Sequence, residues 1–229
     1  MKPLGPLEET KAVEEIKAKE GIQEIYFAKQ DKIQARLKEF SRIWEEGDEE
    51  DIFAELIFCI LTPQSRAKSC WDAVKKLLDG HSLFWGEANK IVRELEGVRF
   101  KHKKTGYILE AREQFTINGR ICIRSKLRGF DEGKDAREWL VRNVRGLGYK
   151  EASHFLRNIG LGGDMAILDR HVLKNLNLLG VIEEIPSSLP PKKYFEIESM
   201  MKEFAEQINI PMSHLDLILW YKETGKIFK

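Results

Sequence analysis

The residue types whose spacing could support chemistry lie between positions 135 and 173, in DAREWLVRNVRGLGYKEASHFLRNIGLGGDMAILDRHVL. Ala136, Trp139, Leu140 and Val144 recur at helical spacing, as do Ala152, Phe155, Leu156 and Ile159, with Gly146-Leu147-Gly148 between the two runs. The pattern predicts helix, tight corner, helix. Glycine at both corner positions permits positive φ and close approach of another molecule, and the amides that open the second helix lack acceptors within it. Such a corner suits a phosphate without any basic side chain. A Gly-x-Gly that merely joins two antiparallel helices is the alternative reading. Lys150 weighs against it, because a cation in the first turn of a helix opposes the positive end of the dipole, where a mere cap would use Asp or Glu. Nineteen residues later, Asp169 precedes the apolar run Val172, Leu173, Leu176, Leu179 and reads as the N-cap of a further helix.

The elements that must position these residues read as helices throughout. Ile33, Leu37, Phe40 and Trp44, then Leu56 and Ile60, then Trp71, Val74 and Leu78 all follow the same period. Breaks at Gly47-Asp48, Thr62-Pro63, Asp79-Gly80, Gly129, Gly146–Gly148, Gly160–Gly163, Gly180 and 186–191 cut the chain into roughly ten helices, an all-α protein. Only TINGRICI, residues 116–123, looks strand-like, and a hairpin about Asn118-Gly119 or a wide turn would both fit. Pro190-Pro191 suits the first turn of the last long helical block, which makes 181–191 a connector. A groove between two helical lobes is the expected ligand site in such an architecture.

Composition narrows the class. With 229 residues, 42% of them hydrophobic, the chain can bury a sizeable core. Lys+Arg 38 against Asp+Glu 37 gives a net charge of +1, so a polyanion must be held locally rather than by a global field. The longest apolar run, Leu56–Leu61, is too short to span a bilayer, and MKPLGPLEE lacks the apolar core of a signal peptide, so a cytoplasmic protein is expected. Cys59, Cys70 and Cys122 have no metal-ligand spacing, which argues against disulfides, zinc and an iron–sulfur cluster.

Gly146-Leu147-Gly148-Tyr149-Lys150 followed by Asp169 in LDRHV resembles the helix-hairpin-helix superfamily of DNA glycosylases. The ending ILWYKETGKIFK, with Trp220 and a final Lys229, is similar to the archaeal-type branch of 8-oxoguanine DNA glycosylases with AP lyase activity. The resemblance runs from about Leu61-Thr62-Pro63-Gln64 to the end, and Arg145 departs from the proline that many members place before the first hairpin glycine. It implies two helical subdomains, one a barrel over 50–163 ending in the hairpin, the other formed by 1–49 plus 164–229. It further implies Lys150 as nucleophile at the sugar C1′ and Asp169 as its catalytic partner. The implied reaction needs no metal or organic cofactor, and the implied partner is double-stranded DNA containing 8-oxoguanine, bound by a monomer. Attack requires a neutral amine, and an ordinary lysine is protonated at pH 7, so Lys150 is expected to be largely buried.

Other roles follow from the same resemblance, each beside a plainer one. Gln64, in the turn TPQS, matches the turn whose side chain fills the stack vacated by an extruded base, though it could be an exposed turn residue only. His171 matches a position that contacts phosphate, or is a helix-surface histidine. Phe100 lies in the densest basic cluster, RFKHKK over 99–104, where stacking with flanking phosphate contacts competes with a solvated charge run. Trp220 and Lys229 are expected at the base pocket, against the frayed tail usual for terminal residues. Trp85 and Trp139, at core spacing, are expected to be core. Lys150 and Asp169 define a reaction and not a base, so a glycosylase for another damaged base stays open. So does a non-catalytic helix-hairpin-helix DNA-binding protein.

Overall fold

The computed structural model describes residues 6–229, with side chains from Val13 onward. The stretch MKPLGPLEE, read above for a leader, lies outside the residues whose side chains are described. Twelve helices and one small hairpin are present among the described residues, an all-α fold as expected. In order they are α1 (Pro6–Glu45), α2 (Glu49–Leu61), α3 (Ala67–Asp79), α4 (Ser82–Trp85), α5 (Ala88–Glu94), α6 (Lys101–Phe115), β1 (Thr116–Ile117) and β2 (Arg120–Ile121). There follow α7 (Ile123–Leu127), α8 (Gly133–Asn143), α9 (Tyr149–Asn158), α10 (Arg170–Leu178), α11 (Pro191–Gln207) and α12 (Met212–Thr224). The two extra helices are the short α4 and α7, of four and five residues, too brief to leave a periodic signal.

Two compact units divide the chain. One comprises Lys38–Gly162 with Lys229, the other Met1–Leu37 with Gly163–Phe228. In the first, α2 is the central helix: every residue from Ile52 to Leu61 is buried, as a helix apolar on all sides must be. It starts at a reciprocal cap, where the Asp51 amide donates to Asp48 Oδ1 at 2.8 Å and the Asp48 amide to Asp51 Oδ2 at 3.1 Å. Helices α3, α6, α7 and α9 pack around it. TINGRICI forms a hairpin, with Thr116 opposite Ile121 and Ile117 opposite Arg120. Asn118 at φ 51° and Gly119 at φ 76° supply the two left-handed residues that such a tight turn requires.

In the other unit α10 and α11 both pack on α12. Tyr194 of α11 is buried and donates its hydroxyl to Ala166 O at 2.6 Å, while Glu198 accepts the Ala166 amide at 2.8 Å. Both backbone polar groups of Ala166, ahead of α10, are therefore fixed by α11. Trp85 departs from expectation: it is 72% exposed, because the four-residue α4 buries Ser82, Leu83 and Phe84 and leaves its last residue outside. Trp139 is half-buried, edge-on to Phe115 with centroids 6.0 Å apart, with the Lys126 ammonium 4.5 Å from its ring centre.

Candidate active site

Helix α8, the corner 144–148 and α9 form the predicted helix-hairpin-helix. Gly146 has φ +94°, and a Cβ there would lie 2.6 Å from Tyr107 Cδ2, so both backbone and neighbour demand glycine. Arg145, in place of proline, stacks its guanidinium 5.3 Å from the Tyr107 ring centre and pairs with Glu110 at 2.8 Å, which ties the corner to α6. The two helices are joined by Arg137, fully buried on α8, which donates to Ser153 Oγ on α9 at 3.1 Å. The Tyr149 hydroxyl donates to Glu138 at 2.8 Å.

One expectation about the corner is corrected. The Gly148 amide is not left without an acceptor: Glu151 Oε2 takes it at 3.2 Å. Glu151, one position past Lys150, supplies the acidic residue that the helix start favours. Lys150 is thus relieved of any capping duty. Its side chain is 23% exposed, and its Nζ lies 3.6 Å from Glu151 Oε1.

The same unit holds a buried polar group. Glu55 of α2, its side chain 2% exposed, accepts from Asn158 Nδ2 at 3.0 Å and pairs with the Lys229 ammonium. That ammonium also sits 3.3 Å from the centre of the Trp71 ring. His154 of α9 is buried edge-on to Phe58 at 5.5 Å. Burial above all, then the positive charges of Arg157 and Lys150, holds its imidazole well below the ordinary histidine range, so it is neutral. Cys59 is likewise held as a thiol, pushed far up by burial and by Glu55. Lys229 is therefore a packed residue rather than a frayed one.

In the other unit, Asp169 is the N-cap of α10, as its sequence context predicted. Its Oδ1 accepts the amides of His171 and Val172, each at 2.8 Å. His171 meets Trp220 of α12 edge-on at 5.5 Å, and its Nδ1 lies 3.6 Å from Glu223. Glu223 also takes Lys174 at 3.0 Å and Asn175 at 3.0 Å, and the Lys174 bond, more than the opposing burial, holds its carboxyl below the usual range.

Gln64 is exposed at φ 56°, and Phe100 is 54% exposed at φ 59°, both left-handed non-glycine residues at the tips of their turns. The basic cluster around Phe100 is not uniformly solvated. Lys104, its last member, is only 4% exposed. It continues the buried stripe of α6 through Ile108, Ala111 and Phe115, and that spacing of four, three and four was the available signal. Glu55 was missed as well, because a single carboxylate inside an apolar run shows nothing of partners 103 and 174 residues away.

The comparisons with known proteins bear on this arrangement. A family model described as 8-oxoguanine DNA glycosylase matches residues 33–210. An 8-oxoguanine DNA glycosylase/AP lyase of Fusobacterium nucleatum is 47% identical over 208 residues, covering 91% of this chain and 96% of that protein. The crystal structure of the 8-oxoguanine DNA glycosylase of Methanocaldococcus jannaschii is similar with a TM-score of 0.83 at 38% identity, covering 93% of this chain and 97% of the other. A second structure from that organism, a glycosylase/lyase in complex with 15mer DNA containing 8-oxoguanine, has a TM-score of 0.81 at 38% identity and covers 91% and 99%.

Proposed function

From the premise that this chain belongs to the 8-oxoguanine DNA glycosylase family, we propose that it excises 8-oxoguanine from duplex DNA through an imine on Lys150 and then cleaves the strand by β-elimination. The observation that carries the role of Lys150 is local. Glu151 serves the start of α9, while Lys150, three-quarters buried beside the Gly146-Leu147-Gly148 corner, has no part in capping.

The amine attacks C1′ as its bond to the purine nitrogen breaks, and the base leaves with the bonding pair and takes a proton. The adduct passes one amine proton to the ring oxygen O4′ as the sugar opens to the protonated imine, loss of a C2′ proton then expels the 3′ phosphate, and water hydrolyses the imine to free the lysine. These steps balance with an amine, DNA and water. A carboxylate facing the sugar would stabilise the oxocarbenium character that develops at C1′, and Asp169 is assigned that role. Its N-cap bonds engage Oδ1 and fix the carboxylate, which leaves Oδ2 for that role, so cap and stabiliser are one group in one position.

The corner at Gly146 and Gly148 is assigned to a phosphate through the amides that open α9, since Glu151 already holds the Gly148 amide, and His171, oriented by Trp220 and Glu223, to another. Gln64 is assigned to the vacated stack and Phe100 to stacking on a neighbouring base. Trp220 and Lys229 are assigned to recognition of the extruded base. 8-Oxoguanine differs from guanine at N7, which carries hydrogen, and at C8, which carries oxygen, so discrimination comes from polar groups that guanine cannot satisfy.

Borohydride trapping on duplex oligonucleotides carrying different lesions tests the reading. The expected result is a covalent complex on 8-oxoguanine DNA that Lys150→Gln abolishes together with strand cleavage, with lesion-DNA binding retained. Trapping of Lys150→Gln at the wild-type rate would remove Lys150 from the chemistry. Faster trapping on another lesion would reassign the base, and no trapping on any lesion would leave a DNA-binding protein.

A further inference from the structure

The turn that bears Gln64 is held from beneath by a single buried cation. Helix α2 ends at Leu61, where the last carbonyls of a helix have no partners within it. The Lys104 ammonium, reaching across from α6, donates to Leu61 O at 2.7 Å, to Pro63 O at 2.8 Å and to Ser65 Oγ at 3.1 Å. Its three hydrogens thus meet three acceptors, the condition under which a buried ammonium is tolerated. The site also lies at the negative end of the α2 dipole, where a cation is favoured. Ser65 Oγ takes a second donor, the Arg99 amide at 3.0 Å, and Leu61 O a second, the Cys70 thiol at 3.1 Å.

The acceptors Leu61, Pro63 and Ser65 bracket Gln64, which is exposed and left-handed. For a residue with a Cβ that conformation is disfavoured, so the surrounding bonds must hold it. An apolar side chain at 104 would fill the same stripe of α6 beside Ile108, but would give none of these bonds. The position therefore carries a charge for the sake of the turn and not of the core.

We propose that Lys104 is a positioning residue for base extrusion, its ammonium clamping the Thr62–Ser65 turn so that Gln64 is presented in the one orientation that enters the DNA stack. The proposal rests on the reading of Gln64 as the residue that fills that stack. Lys104 does not touch DNA or the reacting atoms; it acts through the turn.

The test is a double-mutant cycle on duplex DNA with 2-aminopurine beside the 8-oxoguanine, whose fluorescence rises on unstacking, followed together with single-turnover excision. Lys104→Met should slow both signals roughly tenfold to hundredfold, the scale of a misplaced positioning group. In a Gln64→Ala background the same substitution should change them less than about twofold, because the two residues act as one unit. Cleavage at a preformed abasic site, which has no purine to extrude, should fall much less in Lys104→Met than excision does.

Equal slowing by Lys104→Met in both backgrounds, or no slowing in either, would overturn the proposal while the role of Gln64 stood. Wild-type extrusion by Gln64→Ala alone would instead overturn the role of Gln64, and the proposal with it. Should Lys104→Met not fold, Ser65→Ala replaces it. That variant removes one of the three acceptors and should slow extrusion about threefold in the wild-type background but not beside Gln64→Ala. Parallel effects of Ser65→Ala in both backgrounds would equally overturn the proposal.

Discussion

Deleting Lys229 should separate base recognition from chemistry, and the structure sets the size of the side effect on stability. The Lys229 ammonium pairs with a Glu55 carboxylate whose side chain is 2% exposed, and without it that charge keeps only Asn158 Nδ2 at 3.0 Å. Breaking a buried pair by removing one partner costs about 3–5 kcal/mol, and the surviving bond places the loss near the lower figure. At roughly 2–4 °C per kcal/mol for a chain of this size, Tm should drop by about 6–12 °C. Excision of 8-oxoguanine, scaled to the active fraction, should fall by about two orders of magnitude, the loss of one preorganised polar group. Cleavage at a preformed abasic site should fall far less. Combining the deletion with Glu55→Gln removes the stranded charge, so Tm should recover while excision stays low. Thermal denaturation and single-turnover kinetics on the two substrates measure each of these. Equal losses on both substrates, or recovery of excision along with Tm in the double variant, would refute base recognition by Lys229 and leave it as a counter-charge for Glu55.

Asp169→Asn should lower excision by about two orders of magnitude or more with little loss of Tm, since asparagine oxygen can accept the His171 and Val172 amides as aspartate does; a fall in excision matching only the loss of folded protein would reduce Asp169 to a cap. His154 gives a pH signature: its folded value is depressed by burial, so below about pH 6.5 the unfolded chain binds a proton that the folded chain does not. Stability should therefore fall as pH drops from about 6.5 towards the folded value, by up to about 1.4 kcal/mol per unit for that proton. Urea denaturation at several pH values should show a shallower slope in His154→Gln, with a remainder from His214, which burial also lowers; an unchanged slope would exclude His154.

The backbone side of the candidate site was legible in the sequence, and the buried side was not. The Gly146-Leu147-Gly148 corner and the cap at Asp169 were readable because each rests on a local rule, positive φ at glycine, which Gly146 adopts and Gly148 at φ −99° does not, and a short acceptor before an apolar run. All-α architecture followed from period, and α2 from its continuous apolar run. Glu55 and Arg137 were not readable, because a buried charge is defined by partners brought in from other segments, and Lys104 left only its place in the apolar spacing of α6, which marks it as buried but names none of its acceptors. Trp85 failed for the opposite reason: helical spacing was assumed across α4, which is a single turn.

The cysteines of α2 and α3 acquire a meaning from the damage this family is named for. Oxidants that convert guanine to 8-oxoguanine also attack thiols, and they attack the thiolate far faster than the protonated form. Cys70 is pushed up to about 11 by burial, which leaves on the order of one molecule in ten thousand as thiolate at pH 7. Cys59, near Glu55, is displaced in the same direction. The two buried thiols are thus chemically quiet under oxidative stress, and of the three cysteines only Cys122, partly open to solvent by the small hairpin, is in reach of an oxidant. Placement in the core protects the proposed catalytic lysine's surroundings when its substrate is most abundant.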